Sequence, residues 1–481
     1  MSSSFNLKPS EFNYDAVVNT DRTIPSNLRF SNLTPMGLVS IAKKFIFRPT
    51  NQNTFSESNN VIQIPIASST SVIDPQLVLQ QFDIKNDEAL AVPASASAAD
   101  VAAANLANYN NTMQIDNCID VIIAGFRLFS RNGGVDAETL RYYNQLIAIL
   151  YDTEFNVWKR QNLKTIQGFG DASSSYEVDE KSKVSFNSGK LGTKELVIGP
   201  GETHTFCIPF LSSLLGLLQT KYFLTPLMGQ CDLEIILNPN FYINTAGSPS
   251  KKLKWTLSNW EMHCQLISFQ DPIIERLKAV AATTGIYIHG QQWSGYQQAI
   301  SANTNTIVIS ERLRSVNNVL LTFAVDRGDN YQRRQQSRIT NNLRSLQLKI
   351  GDNYYPTQPI KGDASDPRKN SEFLCEYYKS MCLLHNVNNT GIIDGYNYAL
   401  NDEKTFTADV SGKFVAGVEI ASFSKPENPI ECGVDLGANG PLNILISSEG
   451  GAGGKNCYAY VFMNYDVVYS ILQDGRFVVA K

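Results

Sequence analysis

The chain has 481 residues, 43% of them hydrophobic and 18% charged, with a formal charge of −4. That apolar share is enough to fill real cores, and the length predicts two or three domains at about 150 residues each. The acidic balance argues against wholesale nucleic-acid binding, which needs a strongly basic surface, and with no apolar run of about 18 residues no membrane-spanning helix is expected.

Low charge with abundant Asn, Ser, Thr, Tyr and Phe suits an all-β protein with long polar loops. Residues 1–26 are polar and punctuated by Pro9 and Pro25, which predicts an extended arm; MSSSFNLKPSEFNYD has no apolar core and does not read as a signal peptide. Strand patterns begin at KKFIFRP (43–49) and VIQIPI (61–66), where Ile62, Ile64 and Ile66 alternate, and continue at QLVLQQFDI (76–84) and CIDVIIAGFRLFS (118–130). Between the last two lies an alanine-rich insert, residues 89–111, readable as a loop or as a poorly packed helix. DAETLRYYNQLIAILYD (136–152) predicts a helix capped by Asp136, with Leu140, Tyr143, Ile147 and Leu150 on one face.

Next come a strand THTFCIPFL (203–211), a short helix-like SSLLGLLQ (212–219), and strands CDLEIILN (231–238) and KWTLSNWEMHCQLISF (254–269). In DPIIERLKAVAATTG (271–285), Asp271 stands at an N-cap and Pro272 at the first helical position. Ile273, Ile274, Leu277 and Val280 form a stripe, and Gly285 ends it. This helix between two long β regions marks the expected domain boundary. The second region repeats the texture: TIVISER (306–312), NNVLLTFAVD (317–326), LRSLQLKIGDNYYP (343–356), a helix-like SEFLCEYYKSM (371–381), and FTADVSGKFVAGVEIASFS (406–424). Each region is about 200 residues, a size that suits an eight-stranded jelly roll with elaborated loops. No clear sequence repeat links the two.

The chain closes on LNILIS, a glycine-rich SEGGAGGKN, and a second apolar run ending near Leu472. A phosphate-binding loop needs a first glycine where Glu449 stands and a Ser/Thr where Asn456 stands, and it must open a helix. Tyr458, Tyr460, Val461, Phe462, Val467 and Val468 instead favour a strand. The segment therefore reads as a β-hairpin, followed after Gln473-Asp474-Gly475 by a further strand.

Residue constellations for chemistry are sparse. Asp232 and Glu234 lie two apart on a strand, a spacing open to a glycosidase carboxylate pair, but they also fit a polar face opposite Leu233, Ile235 and Leu237. His204 has no nucleophile signature near it. Arginines at 327, 333, 334, 338 and 344 form the most basic region, read as a solvated loop. Within it, Arg327, Gly328 and Asp329 spell a tripeptide of cell-receptor type, which would need an exposed loop tip. The eight cysteines (118, 207, 231, 264, 375, 382, 432, 457) form no C-x-x-C pair and the four histidines do not gather near them, so no zinc site is expected. Reduced, buried thiols fit a protein made inside a cell, with disulfides left open by the even count. No catalytic set emerges, and no cofactor is expected.

Three segments carry a family resemblance: IPFLSSLLGLLQTKYFLTPLMGQCDLEIILN (208–238), LRSLQLKIGDNYYPTQPI (343–360) and YVFMNYDVVYSI (460–471). Together with two β regions joined near residue 271, they make the chain resemble the double jelly-roll major capsid proteins of adenoviruses, virophages, polinton-like viruses and large icosahedral DNA viruses. The resemblance implies an all-β fold of two consecutive eight-stranded jelly rolls with short helices in loops. Its parts would be an arm at 1–26, a first roll at 27–270, a linking helix at 271–285 and a second roll at 286–481. It further implies a non-enzymatic shell protein of the virion, assembled inside the host cell. Its partners would be two more copies in a hexon-like homotrimer, neighbouring capsomers, and penton and minor capsid proteins, with no specific nucleic acid. The rival reading from the residues alone is a carbohydrate-binding or carbohydrate-active β-sandwich. A single-jelly-roll penton or minor protein is disfavoured by the length.

Overall fold

The computed structural model of the chain describes residues 40–95, 97–131, 134–155, 163, 166–167, 177–178, 184–185, 197–244, 250–269, 271–301, 304–325, 328, 330–331, 335–363, 369–384, 391, 393, 398, 412–421, 433–448, 457–472 and 476–481. The predicted arm at 1–26 thus lies outside the described residues.

Up to residue 269 the strands are β1 (Ser40–Phe47), β2 (Thr54–Phe55), β3 (Val61–Ile66), β4 (Ser71–Asn86), β5 (Met113–Ile115), β6 (Ile123–Ser130), β7 (Val135–Arg141), β8 (Glu177–Val178), β9 (Val184–Ser185), β10 (Val197–Ile198), β11 (Thr203–Pro209), β12 (Cys231–Leu237), β13 (Tyr242–Asn244) and β14 (Trp255–Phe269). After it come β15 (Ile286–Ile300), β16 (Thr306–Ile309), β17 (Val316–Ala324), β18 (Leu343–Ile350), β19 (Asn353–Lys361), β20 (Ala416–Glu419), β21 (Leu442–Ser448), β22 (Cys457–Ile471) and β23 (Phe477–Ala480). The helices are α1 (Ala98–Asn110), α2 (Tyr143–Glu154), α3 (Thr225–Met228), α4 (Asp271–Thr284), α5 (Ser371–Ser380) and α6 (Leu436–Asn439).

In the first half, one sheet runs β1-β14-β4-β11 and the other β3-β12-β6-β7. In the second half they run β15-β22-β17-β20 and β16-β21-β18-β19. Taking the eight main strands of each half in chain order, both halves have the arrangement first-eighth-third-sixth against second-seventh-fourth-fifth. That is the jelly roll, built twice. Among the described residues every strand pairing stays within its own half.

Alternation puts the apolar side of each strand inward. Ile62, Ile64 and Ile66 on β3 and Cys231, Leu233, Ile235 and Leu237 on β12 are fully buried, while their neighbours in sequence face outward. Each such aliphatic side chain contributes about 1.5–3 kcal/mol. Two central strands of the second half, β17 and β22, are buried on both faces, and their sequences read as nearly continuous apolar runs. On β17, Val319 to Ala324 are all buried, because α5 covers the outer side of that sheet. The Asn318 amide donates to Ser380 O at 2.9 Å there, and a Cβ on Gly417 would come within 2.3 Å of Ser380 Oγ.

Several expectations need correction. The predicted helix at 136–152 is strand β7 followed by α2, so Asp136 caps nothing and instead pairs with Arg127 across the β6–β7 ladder at 2.5 Å. The helix starts after Tyr142, whose φ of 58° turns the chain sharply, and every residue from Tyr143 to Thr153 is buried. All-round burial erases the one-sided pattern that the sequence suggested. SSLLGLLQ forms turns rather than a helix, buried up to Gly216 and exposed at Leu217 and Leu218: a Cβ at Gly216 would stand 2.2 Å from Phe210 O. On α4, Ile274 and Ala281 are buried and Val280 is 42% exposed, so the stripe is rotated from its predicted position. Gly285 ends the helix at a φ of +76°. The glycine-rich segment 449–456 lies outside the described residues, but its flanks do not form a hairpin. β21 pairs with β16 and β18, β22 with β15 and β17, so the chain crosses from one sheet to the other as a jelly roll's seventh and eighth strands must. The hairpin at the end is β22–β23.

Candidate functional site

The densest polar chemistry in the described chain lies where the halves meet. Asp152, near the end of α2, is fully buried and accepts from Arg338 Nη2 at 2.7 Å and Lys413 Nζ at 2.9 Å, both from the second half. Arg338 is itself fully buried, and its Nε donates to Phe414 O at 3.3 Å. Around this centre, Gln336 N donates to Asp116 Oδ2 at 3.0 Å, Gln145 Nε2 to Gln335 O at 2.9 Å, and Asn244 N to Tyr331 O at 2.7 Å. The Thr153 and Tyr377 hydroxyls also bond.

A second buried network crosses the same seam at β7. The Glu138 carboxylate accepts from Ser212 Oγ and from Ser213 N at 2.9 Å. Ser213 Oγ bonds the Tyr469 hydroxyl of β22, and Gln292 Nε2 of β15 donates to that hydroxyl at 2.6 Å and to Ala137 O at 2.8 Å. Burial pushes Glu138 up to about 7 against the pull of its hydrogen bonds. Deeper in the first half, burial also lifts Asp120 to about 7, although Tyr151 donates to it at 3.0 Å. Both carboxyls are buried and held by hydrogen bonds from their own chain.

The residues singled out from sequence scatter. Asp232 is held by Arg131 at 2.5 Å, and Glu234 lies in register with Arg127 and Gln63, so the pair sits on an outer strand face. His204 lies 3.6 Å from Glu202 on β11. Arg338, expected on a solvated loop, is fully buried, and Arg344 is half-buried. Arg333, Arg334, Arg327 and Asp329 lie outside the described residues; Gly328, between the last two, has a φ of +52°. Among the described residues no two cysteines are bonded to each other, and no group of His, Cys, Asp and Glu has the arrangement of a metal site. An open depression of about 290 Å³ is lined by Arg48, Gln52, Asn259, Trp260 and Glu261. Its carboxylate is already engaged by His263 at 3.0 Å and Arg48 at 2.8 Å.

The sequence reading missed Asp152, Glu138 and Lys413. An acidic residue inside the apolar run LIAILYD is the one signal that was available for Asp152.

The outer strands are the remaining open surface. β1 is an edge strand exposed along most of its length, with Ile41 58% and Phe45 45% exposed and Phe47 buried. In the other half, β19 is an edge strand on which Tyr354 is 42% exposed.

No family model and no curated protein matches the sequence. Among solved structures, the Faustovirus major capsid protein is similar at a TM-score of 0.55 and 10% identity, over 97% of this chain and 94% of that one. The Sputnik virophage structure determined by cryo-EM matches at 0.55 and 12% identity, over 100% of this chain and 93% of that one. The quasi-atomic model of the PBCV-1 virus capsid matches at 0.55 and 10% identity, over 94% of this chain and 99% of that one. The shared feature is the fold, spanning nearly the whole of each chain.

Proposed function

We propose that this chain is a viral major capsid protein, a structural and non-enzymatic component of the virion. Three copies form a tile with six jelly rolls, and such tiles cover an icosahedral shell. One observation carries the reading: the jelly-roll strand order is built twice in one chain, and that double arrangement matches solved viral capsid structures end to end. Residues 27–270 and 286–481 are the two rolls, 271–285 links them, and 1–26 is an arm that orders against neighbouring tiles on assembly. Neighbouring capsomers, and penton and minor capsid proteins where tiles meet, are its partners.

The physics suits the role. The seam between halves is buried and hydrogen-bonded, so the two halves move as a single block, and a rigid block with two similar lobes packs a near-sixfold tile in three copies. The carbohydrate-active alternative needs convergent carboxylates in a cleft, whereas Asp232 is neutralised by Arg131 on an outer strand face.

Mass photometry of the purified chain tests the reading. The expected species has three times the 53.3 kDa chain mass. A stable monomer at micromolar concentration would overturn it.

A further inference from the structure

Arg338 is fully buried at the seam, yet only part of its guanidinium is engaged. Nη2 donates to Asp152 Oδ2 at 2.7 Å and Nε to Phe414 O at 3.3 Å. Nη1 is shut off from solvent and has no hydrogen-bond partner. Among the described residues Asp152 is the one carboxylate within ion-pair distance of Arg338, and Lys413 Nζ draws on that same carboxylate at 2.9 Å. A guanidinium donates at every nitrogen and accepts nowhere, so the bare Nη1 edge calls for an acceptor. A cation taken out of water calls for opposite charge as well.

The same short stretch of chain carries two more buried side chains in this condition. Thr340 Oγ1 has no partner, and neither end of the Gln336 side-chain amide has one. Arg338 and Ile339 each make a β-bridge, to Lys413 and to Phe323, so the backbone is extended here. Residues two apart on an extended chain share a side, which sets Thr340 with Arg338 and turns Ile339 the other way. Gln336 stands two residues earlier, at the end of a turn, with its backbone N–H held by Asp116 Oδ2 at 3.0 Å. Residues 336, 338 and 340 thus present a guanidinium edge, a hydroxyl and an amide N–H, all buried and all unanswered. A water molecule supplies lone pairs to such donors but no charge, whereas an anion supplies both.

We propose that Arg338 Nη1 and Thr340 Oγ1, closed over by Gln336 Nε2, hold a small inorganic anion of the halide class in the seam between the two jelly rolls. All three side chains are almost fully buried, which favours a compact monatomic ion over sulfate or phosphate. The ion completes a buried chain of charge from Asp152 of the first half to Arg338 and Lys413 of the second. The site exists only in the folded chain, so filling it stabilises the fold in proportion to anion concentration. The inference goes beyond the capsid reading and does not depend on it.

Crystals of the full chain grown in sodium bromide, with diffraction recorded at the bromine edge, test the proposal. An anomalous peak beside Arg338 Nη1 is the expected result. A water or a carboxylate of the chain itself at that position, with no anomalous signal, would overturn it. So would bromide found only on exposed lysines and arginines, an adventitious ion only. In solution, the wild type should melt higher in sodium chloride than in sodium gluconate at equal ionic strength; equal melting would contradict the site. Removing Arg338 risks the fold, so the variant is Thr340→Val, which keeps the shape and deletes the hydroxyl donor. It should match the wild type in gluconate and need at least tenfold more chloride for half of the stabilisation. A chloride response unchanged from the wild type would overturn the assignment.

Discussion

Replacing Asp152 by Asn probes the seam at its most sensitive point. The substitution keeps shape and removes one charge, leaving Arg338, which is fully buried, and Lys413, 6% exposed, facing each other without the carboxylate they share. Breaking a buried ion pair by removing one partner costs about 3–5 kcal/mol, because the remaining charge stays desolvated. At about 2–4 °C per kcal/mol for a body of some 200 residues, the melting temperature should fall by about 6–20 °C. The control is Arg131→Ala, which breaks the pair with Asp232 where the arginine is 59% exposed; an exposed pair contributes about 0–1 kcal/mol. Differential scanning calorimetry of both variants decides the matter. If Asp152→Asn melts within 2 °C of Arg131→Ala, the buried triad does not hold the halves together and the argument fails.

Glu138→Gln should flatten the pH dependence of stability. The folded-state value of about 7 lies above the ordinary carboxyl value of 4.5, so between those pH values the folded chain holds a proton that the unfolded chain has released. Stability from this group is therefore full below about pH 4.5 and is lost as pH rises through 7, by up to about 3 kcal/mol. Urea melts of wild type and variant at pH 5 and pH 7.5 measure it, and an equal pH dependence in both would contradict the burial argument. Gly295→Ala drives a Cβ to 2.2 Å from Arg141 O and should cost about 1–3 kcal/mol, read as a lower urea midpoint; an unchanged midpoint would mean β7 does not sit where described. Alkylation followed by peptide mass mapping should modify Cys375 and Cys382 in the native protein and spare Cys118, Cys231, Cys264 and Cys457 until it unfolds. Burial pushes the Cys231 and Cys264 thiols up to about 12, which leaves little reactive thiolate. Rapid native labelling of either would refute that packing. Deleting residues 2–20 should leave trimers intact and impair shell formation, scored by negative-stain counts of closed shells; normal shell yield would sink the role given to the arm.

Strands with one wet face were readable from the chain alone, because burial on one side imprints period two. Ile62, Ile64 and Ile66 on β3 and the alternating CDLEIIL of β12 show that imprint directly. The imprint vanishes where both sides are covered. In α2, eleven consecutive residues from Tyr143 to Thr153 are buried, so no stripe survives to locate its start, and β7 was absorbed into the same predicted helix. The Tyr142 turn that separates them depends on a positive φ that no local signal, such as a glycine, announces. Sheet crossing was equally hidden: β21 and β22 are neighbours in sequence with a glycine-rich segment between, and only their long-range partners show that they occupy different sheets. The seam lay furthest from view. Nothing beside Arg338 in sequence announces its burial, and the carboxylate that holds it, Asp152, is 186 positions away.

The most direct test of the account is the outline of the assembled particle. Two-dimensional averages from cryo-EM of the purified chain should show six lobes around a threefold axis, each protomer contributing two adjacent lobes. A two-lobed particle, or a twofold dimer, would contradict the capsid-tile reading while leaving the double jelly roll in place.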